Sequence, residues 1–105
     1  MRLRKELADL PQEEIELIAK VSDSLAHPVR VKIFRYVMQC NAARKVVCNK
    51  DVVSEFDYSQ ATISQHIKKL AASGLIQIKK SDKFSTYYVN IGVLSKYLTA
   101  VKKFK

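Results

Sequence analysis

The sequence predicts a single, mainly α-helical domain with one small β-hairpin. Its 105 residues match the size of one ordinary domain, and 48% of them are hydrophobic, which suits one core. Two Gly and two Pro leave little turn material for a sandwich or barrel of many strands. Apolar residues recur at helical spacing up to Gly74, where the period changes to two. We therefore expect helices joined by short loops.

Prolines introduce the first two predicted helices. Pro11 suits the first turn of a helix, and the glutamates that follow it lie at the positive end of the helix dipole. An apolar stripe at helical spacing runs along residues 11–26. Pro28 starts a second amphipathic helix. Residues 1–10 are compatible with either a frayed tail or a helix, and residues 45–47 with a short strand.

A short helix, a tight turn and a longer helix come next. Asn49 is expected to cap the short helix and Ser59 the longer one, because their side-chain oxygens can accept hydrogen bonds from free backbone N–H groups. Gly74 fits the left-handed C′ position at which helices often end. One side of the longer helix is apolar, and its other faces carry short polar residues and lysines. Residues 49–74 are therefore interpreted as a helix-turn-helix.

The remaining chain predicts a hairpin and a last helix. LIQIK and STYYVN alternate apolar and polar residues around the polar turn KSDK, so residues 75–90 are expected to form a hairpin. Residues 92–104 carry the apolar stripe of a terminal helix. A helix-turn-helix followed at once by a hairpin is the winged helix-turn-helix arrangement. We therefore expect one domain over residues 1–105, mainly α with a small β-hairpin.

Positive charge is concentrated in the C-terminal half. Residues 1–58 hold ten basic and nine acidic side chains, whereas residues 59–105 hold nine lysines and one acid, Asp82. Such a field suits a polyanionic partner such as nucleic acid or an anionic membrane surface, although a solubilising surface is the alternative. No apolar run approaches the roughly 18–20 residues that span a bilayer, and no signal-peptide block appears. We expect a soluble, cytoplasmic protein.

Sequence patterns typical of catalysis or metal binding do not occur in the chain. Cys40 and Cys48 do not make a disulfide scaffold, and His27 and His66 lie far apart in sequence. CxxC, HExxH, GxGxxG and P-loop patterns are all missing from the sequence. We expect neither an enzyme nor a cofactor.

Three motifs resemble those of one known family. SLAHPVRVKIFRYV, residues 24–37, resembles the LA-(D/H)-P-x-R-x-x-I-L stretch that opens the core of ArsR-family bacterial repressors. YSQATISQHIKKLAASGLI, residues 58–76, resembles that family's recognition helix, LSQPTVSHHLKxLxxAGLV. KKSDKFSTYYVN, residues 79–90, resembles its basic wing, which ends in a Tyr-Tyr strand. The likeness runs in register from about residue 21 to residue 90. This combination is specific, whereas one motif alone would be weak.

The resemblance implies a homodimeric transcriptional repressor whose affinity for double-stranded operator DNA falls when a small effector binds. In this family the first and last helices form the dimer interface, which matches the apolar stripes of residues 11–26 and 92–104. The alternative is that the stripes pack onto the core of the monomer. The residues expected at the interface are Ile15, Ile18, Leu94, Tyr97, Leu98 and Val101.

The resemblance also implies a set of DNA-binding residues. A recognition helix presents short polar groups to base edges, while lysines contact phosphates. Ser59 is interpreted first as a cap, and Tyr87 first as a core residue whose hydroxyl could reach a phosphate. The second histidine of the family motif, His66, is interpreted as packed rather than DNA-contacting. The expected set is Ser59, Gln60, Thr62, Ser64, Gln65, Lys68, Lys69, Lys79, Lys80, Lys83 and Tyr87.

The effector cannot be named from the sequence. The family's Cys-x-Cys-x-x-Cys metal run has only its first cysteine here, at Cys48, because Lys50 and Val53 stand at the other two positions. We therefore expect no metal site, since thiophilic ions need three or four such ligands. Cys40 and Cys48 are either ordinary buried thiols or a redox pair. A general nucleic-acid binder and a protein-interaction module are the competing functions, and repression versus activation stays open.

Overall fold

The computed structural model of the protein describes residues 9–105. That part of the chain forms five α-helices, a two-stranded antiparallel sheet and a final 3-10 turn. The elements are α1 (Gln12–Ser24), α2 (Pro28–Ala42), α3 (Asn49–Phe56), α4 (Gln60–Ala72), β1 (Ile76–Lys80), β2 (Ser85–Val89), α5 (Ile91–Val101) and the turn Lys102–Phe104. This order matches the predicted one except for the short strand expected before α3. The sequence leaves residues 1–10 as either a frayed tail or a helix, and residues 1–8 of that segment lie outside the described range.

The segment before α3 forms less sheet than the sequence predicts. A strand over residues 45–47 is wrong, because the chain meets β2 only at an isolated bridge between Cys48 and Thr86. The backbone N–H of Tyr87 also donates to the carbonyl of Val47, at 2.9 Å. Cys48 is immediately the cap of α3, so the chain turns away before a strand can form.

The ends of α4 follow the predicted signals. The Ser59 hydroxyl accepts a hydrogen bond from the backbone N–H of Thr62 at 3.2 Å, so it is the cap that the sequence predicts. At the other end Gly74 has a φ of +88°. The N–H of Leu75 donates to the Leu70 carbonyl at 3.2 Å, which completes a Schellman ending. These signals are local, and they fix the length of α4.

The core lies where α2, α3 and α4 meet the hairpin. Its buried side chains come from every one of these elements: Ile33, Phe34, Val37, Val47, Val52, Ile63, Ile67, Leu70, Leu75, Ile76 and Tyr87, with Val21 from α1. The amide of Asn41 on α2 fixes β2 against this core. It donates to the carbonyl of Tyr87 at 3.3 Å and accepts from the N–H of Val89 at 2.8 Å. The hairpin therefore has a fixed position relative to the helices.

Helices α1 and α5, at opposite ends of the described chain, pack against each other. The hydroxyls of Ser22 and Tyr97 are hydrogen-bonded at 2.9 Å, and the Lys103 ammonium forms an ion pair with Glu14 at 2.7 Å. Lys103 also donates to the backbone carbonyl of Asp9. Within residues 9–105, no helix combines the length and apolar character that crossing a membrane requires.

The two glycines give a matched test of how α4 ends. We expect Gly74→Ala to lower the free energy of unfolding by about 1–2 kcal/mol, because an L-residue is strained at a positive φ. A Cβ there meets only Val93, at 3.5 Å, so crowding adds little. Gly92 is the second residue of α5 and has no positive φ; a Cβ there would lie 3.4 Å from the capping Oδ1 of Asn90, so Gly92→Ala should change the free energy of unfolding by less than about 1 kcal/mol. Urea unfolding measures both, and equal effects would contradict this account.

Candidate nucleic-acid interface

Helix α4 buries one face and exposes the opposite one. Ile63, Ile67 and Leu70 are at most 1% exposed. At 100° per residue, Gln65 and Lys68 project from the opposite side, and both are exposed. A helix held by an apolar face with a polar face outward has the geometry that major-groove readers require.

The predicted binding residues occupy three levels of exposure. Thr62 and Ser64 are half-buried on the sides of α4, and Tyr87 is only 4% exposed. The others are exposed on α4, at its cap or on the hairpin: Ser59, Gln60, Gln65, Lys68, Lys69, Lys79, Lys80 and Lys83. Of the hairpin lysines, Lys83 shares a cleft with Gln60 and Ser64 of α4, whereas Lys79 lines a separate cavity beside Ala71 and Tyr88. Tyr87 belongs to the core, as its first interpretation held.

A cleft of about 260 Å³ separates α4 from the hairpin. We call it the wing cleft; its lining includes Lys50, Gln60, Ser64, Lys83 and Tyr87. Basic and hydroxyl groups therefore surround a space large enough for a phosphate group. The cleft connects α3, α4 and the hairpin.

Asn49 links the three walls of the wing cleft. Its Nδ2 donates to Oγ of Ser64 on α4 at 3.1 Å and to the hydroxyl of Tyr87 on β2 at 3.2 Å. Since both hydroxyls act as acceptors there, each keeps its own proton for another partner. Burial raises the pKa of Tyr87, so its hydroxyl stays a donor at neutral pH. Sequence reasoning assigned Asn49 only to capping, because its partners lie 15 and 38 positions away.

The hairpin tip carries lysines on a short, well-bonded frame. Residues Ile76 to Lys80 pair with Val89 to Ser85 in antiparallel register. The Thr86 hydroxyl donates to the carbonyl of Lys79 at 3.2 Å, and Ser81 N–H donates to the carbonyl of Phe84 at 2.9 Å. Lys83 lies in the turn between the strands. The geometry suits a wing that follows a phosphate backbone.

A second cleft lies along the opposite side of α4. It measures about 330 Å³ and is lined by Arg30, Gln65, His66, Lys68 and Lys69. We call it the histidine cleft, because the rings of His27 and His66 lie beside each other, with centroids 5.1 Å apart. Burial, then His27 and Arg30, hold the pKa of His66 below its usual value. Sequence reasoning did not pair the two histidines.

Comparison with known proteins identifies the family of this domain. A family model described as a helix-turn-helix domain matches residues 25–78, which is just over half of the chain. The chain belongs to this helix-turn-helix family. The match covers α2, α3 and α4 and the start of the hairpin, and thus both clefts beside α4 lie within or next to it.

Solved structures, among them an ArsR-like regulator and a possible ArsR-family regulator, share the fold of this helix-turn-helix protein. The ArsR-like transcriptional regulator from Rhodococcus sp. RHA1 has a TM-score of 0.72 and 18% identity, covering 88% of this chain and 82% of that one. HlyU from Vibrio cholerae N16961 has a TM-score of 0.68 and 16% identity, covering 90% of this chain and 98% of that one. The homodimeric winged helix-turn-helix DNA-binding domain of Mb0332 from Mycobacterium bovis has a TM-score of 0.68 and 15% identity. The match covers 92% of this chain and 86% of that one. No curated protein matches the sequence. The predicted winged helix-turn-helix fold is therefore confirmed.

The residues predicted for a dimer interface divide into two groups. Leu94 and Tyr97 pack against the core of the monomer, which the sequence left as the alternative. Ile15, Ile18 and Val101 are half-buried, and Leu98 is 49% exposed. The stripe of α5 thus continues past the monomer core onto the surface.

The cysteines are free thiols in different surroundings. Cys40 packs half-buried against the core. The Cys48 thiol donates to the Asp51 carboxylate at 3.1 Å, and burial followed by this hydrogen bond raises the pKa of the thiol. Reactive cysteines have lowered pKa values, so Cys48 is in an environment that disfavours the thiolate. Within residues 9–105, no three His, Cys, Asp or Glu side chains cluster as metal ligands would.

The sequence predicts that Asn49 caps α3, but this prediction is wrong, because a reciprocal cap between Cys48 and Asp51 holds the start of the helix. The cap is Cys48, whose N–H donates to the carboxylate of Asp51 at 2.9 Å. Asn49 is already the first helical residue, so its amide is free to reach across the wing cleft. The cap therefore positions Asn49 as well as α3.

Asp51→Asn should weaken this cap in a pH-dependent way. We expect the free energy of unfolding to fall by about 0.5–2 kcal/mol at pH 7. Hydrogen bonds from the Cys48 N–H and thiol lower the pKa of Asp51, so its stabilisation is present above the unfolded pKa and lost as pH falls through the folded one. Urea unfolding should therefore show the stabilities of the variant and the parent converging as the pH falls below the ordinary pKa of an aspartate. Asp57→Asn is the control, because Asn tolerates the left-handed conformation found there; a pH-independent loss in Asp51→Asn would contradict the assignment.

Proposed function

We propose that this protein is a sequence-specific, homodimeric DNA-binding transcriptional regulator of the ArsR type, acting as a repressor in the bacterial cytoplasm. The observation that carries the proposal is the outward face of α4. It presents Gln65 and Lys68 from a helix anchored by three buried aliphatic side chains; both also line the histidine cleft, and the wing cleft lies beside Gln60 and Ser64 of the same helix. Residues 59–105 contain a single acid, Asp82, so little negative charge opposes DNA there.

The two kinds of contact fall on different residues. Gln65 lies near the middle of the outward face, and glutamine can pair with adenine through two hydrogen bonds. Lys79, Lys80 and Lys83 lie on the hairpin, where a wing meets the backbone. The wing cleft adds the hydroxyl donors of Ser64 and Tyr87 for a phosphate. We therefore assign base reading to α4 and positioning to the wing.

The apolar edge of α5 supports a dimer. Ile91 is 63% exposed and Leu98 49% exposed, and both lie on the same side of the helix. The related fold of Mb0332 is homodimeric, and a symmetric pair of recognition helices suits DNA with two half-sites. Burial of this edge against its copy would remove the apolar surface from water.

A first experiment separates specific from general nucleic-acid binding. Duplexes selected from a randomised library by the protein are compared with scrambled duplexes of the same composition, by fluorescence anisotropy. We expect the selected sequence to bind about a thousandfold or more tightly than the scrambled one. Equal and steeply salt-dependent binding of the selected and the scrambled duplex would mean that residues 59–105 bind nucleic acid without sequence specificity.

Two substitutions test the division of roles on the selected duplex. Gln65→Ala should weaken the free energy of binding to the selected duplex by about 1–3 kcal/mol and change binding to scrambled DNA little, because it removes base contacts. Lys80→Ala should weaken both duplexes alike and flatten the slope of log K against log salt by about 0.9. Each variant serves as the control for the other. Equal losses on both duplexes for Gln65→Ala would remove its assignment as a base reader.

Leu98→Glu tests the dimer. A charge on the exposed apolar edge of α5 should convert dimer to monomer in sedimentation velocity and weaken binding to a palindromic selected site. Val46→Glu is the matched control, because Val46 is 70% exposed but lies far from α5 in the chain, before α3. A Leu98→Glu protein that remains dimeric would exclude this edge as the interface.

A further inference from the structure

The two sides of α4 each carry a cationic cleft. The wing cleft lies beside Gln60 and Ser64, and the histidine cleft lies beside His66 and Lys69. At 100° per residue these two pairs project from opposite flanks of the helix, with Gln65 between them on the outward side. An α-helix with its side chains is about 10–12 Å wide and the major groove about 12 Å. A helix seated there therefore has one phosphate strand on each flank.

We propose that His27, Arg30, His66 and Lys69 form a second phosphodiester-binding site, which contacts the DNA strand on the side of α4 away from the wing, and that DNA binding there takes up a proton onto His66. The inference rests on the proposed function only in requiring that α4 lies against duplex DNA. It does not require that the duplex has a particular sequence.

Arg30 gives the site a fixed cation. Its Nε donates to the carbonyl of Ser24 at 2.8 Å, and one terminal nitrogen is 3.4 Å from the carbonyl of Asp23. These bonds use two of the five N–H groups and leave the others free. Because the guanidinium is anchored to the end of α1, it is already in position before DNA arrives.

The charges around His66 favour an anion. His27 and Arg30 both act on it, and Lys69 follows on the same flank of α4, so its charged neighbours there are basic. The carboxylates of the other elements packed against α4 do not contribute to the shift of its pKa. They are Glu13, Glu14, Glu16 and Asp23 on α1 and Asp51, Glu55 and Asp57 on or beside α3.

This charge balance couples the site to protons. Burial, His27 and Arg30 keep the pKa of His66 below its usual value, so that the imidazole is mainly neutral at pH 7. A phosphate beside the ring favours the imidazolium form and raises the pKa. Whenever the bound pKa exceeds the free one, affinity rises as pH falls between them. DNA should consequently bind more tightly at pH 6 than at pH 8.

The test measures the dissociation constant of one duplex from pH 6 to pH 8 at constant ionic strength. We expect tightening towards pH 6, by at most about tenfold for each unit by which the phosphate raises the pKa of His66. His66→Gln should reduce this change, and the double variant with His27→Asn, which lacks both histidines of the chain, should abolish it. Asn is chosen at position 27 because the Nδ1 of His27 caps α2 through the N–H of Val29.

Two controls separate this site from the rest of the interface. Lys80→Ala should weaken binding but keep the full pH dependence, because it acts on the wing. Thermal unfolding at each pH confirms that every variant is folded under the conditions of the titration. Proton uptake on binding, measured by calorimetry in buffers of different ionisation enthalpy, should be positive in the parent and near zero in the double variant.

The outcomes are distinct from those of the proposed function. Tight binding to a selected duplex without pH dependence or proton uptake would overturn the histidine site and leave sequence recognition intact. A histidine-dependent pH profile on scrambled DNA alone would support the site even if no preferred sequence is found. An unchanged pH profile in the folded double variant would overturn the proposal.

Discussion

The burial of one face of α4 is the constraint on which the rest of the molecule depends. Ile63, Ile67 and Leu70 are almost completely withdrawn from water, and each such aliphatic side chain contributes roughly 1.5–3 kcal/mol by burial. Rotation of the helix about its axis would expose all three at once. The direction of Gln65 is therefore fixed by residues that cannot touch DNA, and the polar face needs no bonds of its own to stay outward.

Two asparagines extend this order to the wing. Asn41 on α2 is hydrogen-bonded to the backbone carbonyl of Tyr87 and to the backbone N–H of Val89 in β2. Asn49 joins α3 to the hydroxyls of Ser64 on α4 and Tyr87 on β2. Hydrogen bonds between half-buried side chains are directional, whereas aliphatic packing is not. The apolar core thus determines which faces are buried, and the amides determine the register of the wing against α4. This explains why a two-stranded hairpin, marginal by itself, can hold a defined position.

The sequence predicts what depends on neighbouring residues and misses what depends on distant ones. Ser59 and Gly74 mark the ends of α4 through bonds to residues at most a few positions away, so local pattern was sufficient. The link through Asn49 and the pairing of His27 with His66 exist only after the chain has folded. Periodicity also identified the stripe of α5 but could not divide it between the monomer core, where Tyr97 packs, and the surface.

The two flanks of α4 differ in how their charge responds to solution conditions. The wing side carries lysines, whereas on the other side burial and basic neighbours lower the pKa of His66, so its ring is mainly neutral at pH 7. Because the folded pKa of His66 lies below the unfolded one, its effect on stability is favourable above the unfolded pKa and is lost as pH falls. Protonation of His66 at low pH therefore lowers the stability of the DNA-free protein, whereas an adjacent anion would stabilise the protonated ring. A bound phosphate raises the pKa of His66 by stabilising the imidazolium, whereas folding lowers it. Folding therefore favours the neutral ring, and anion binding favours the charged one.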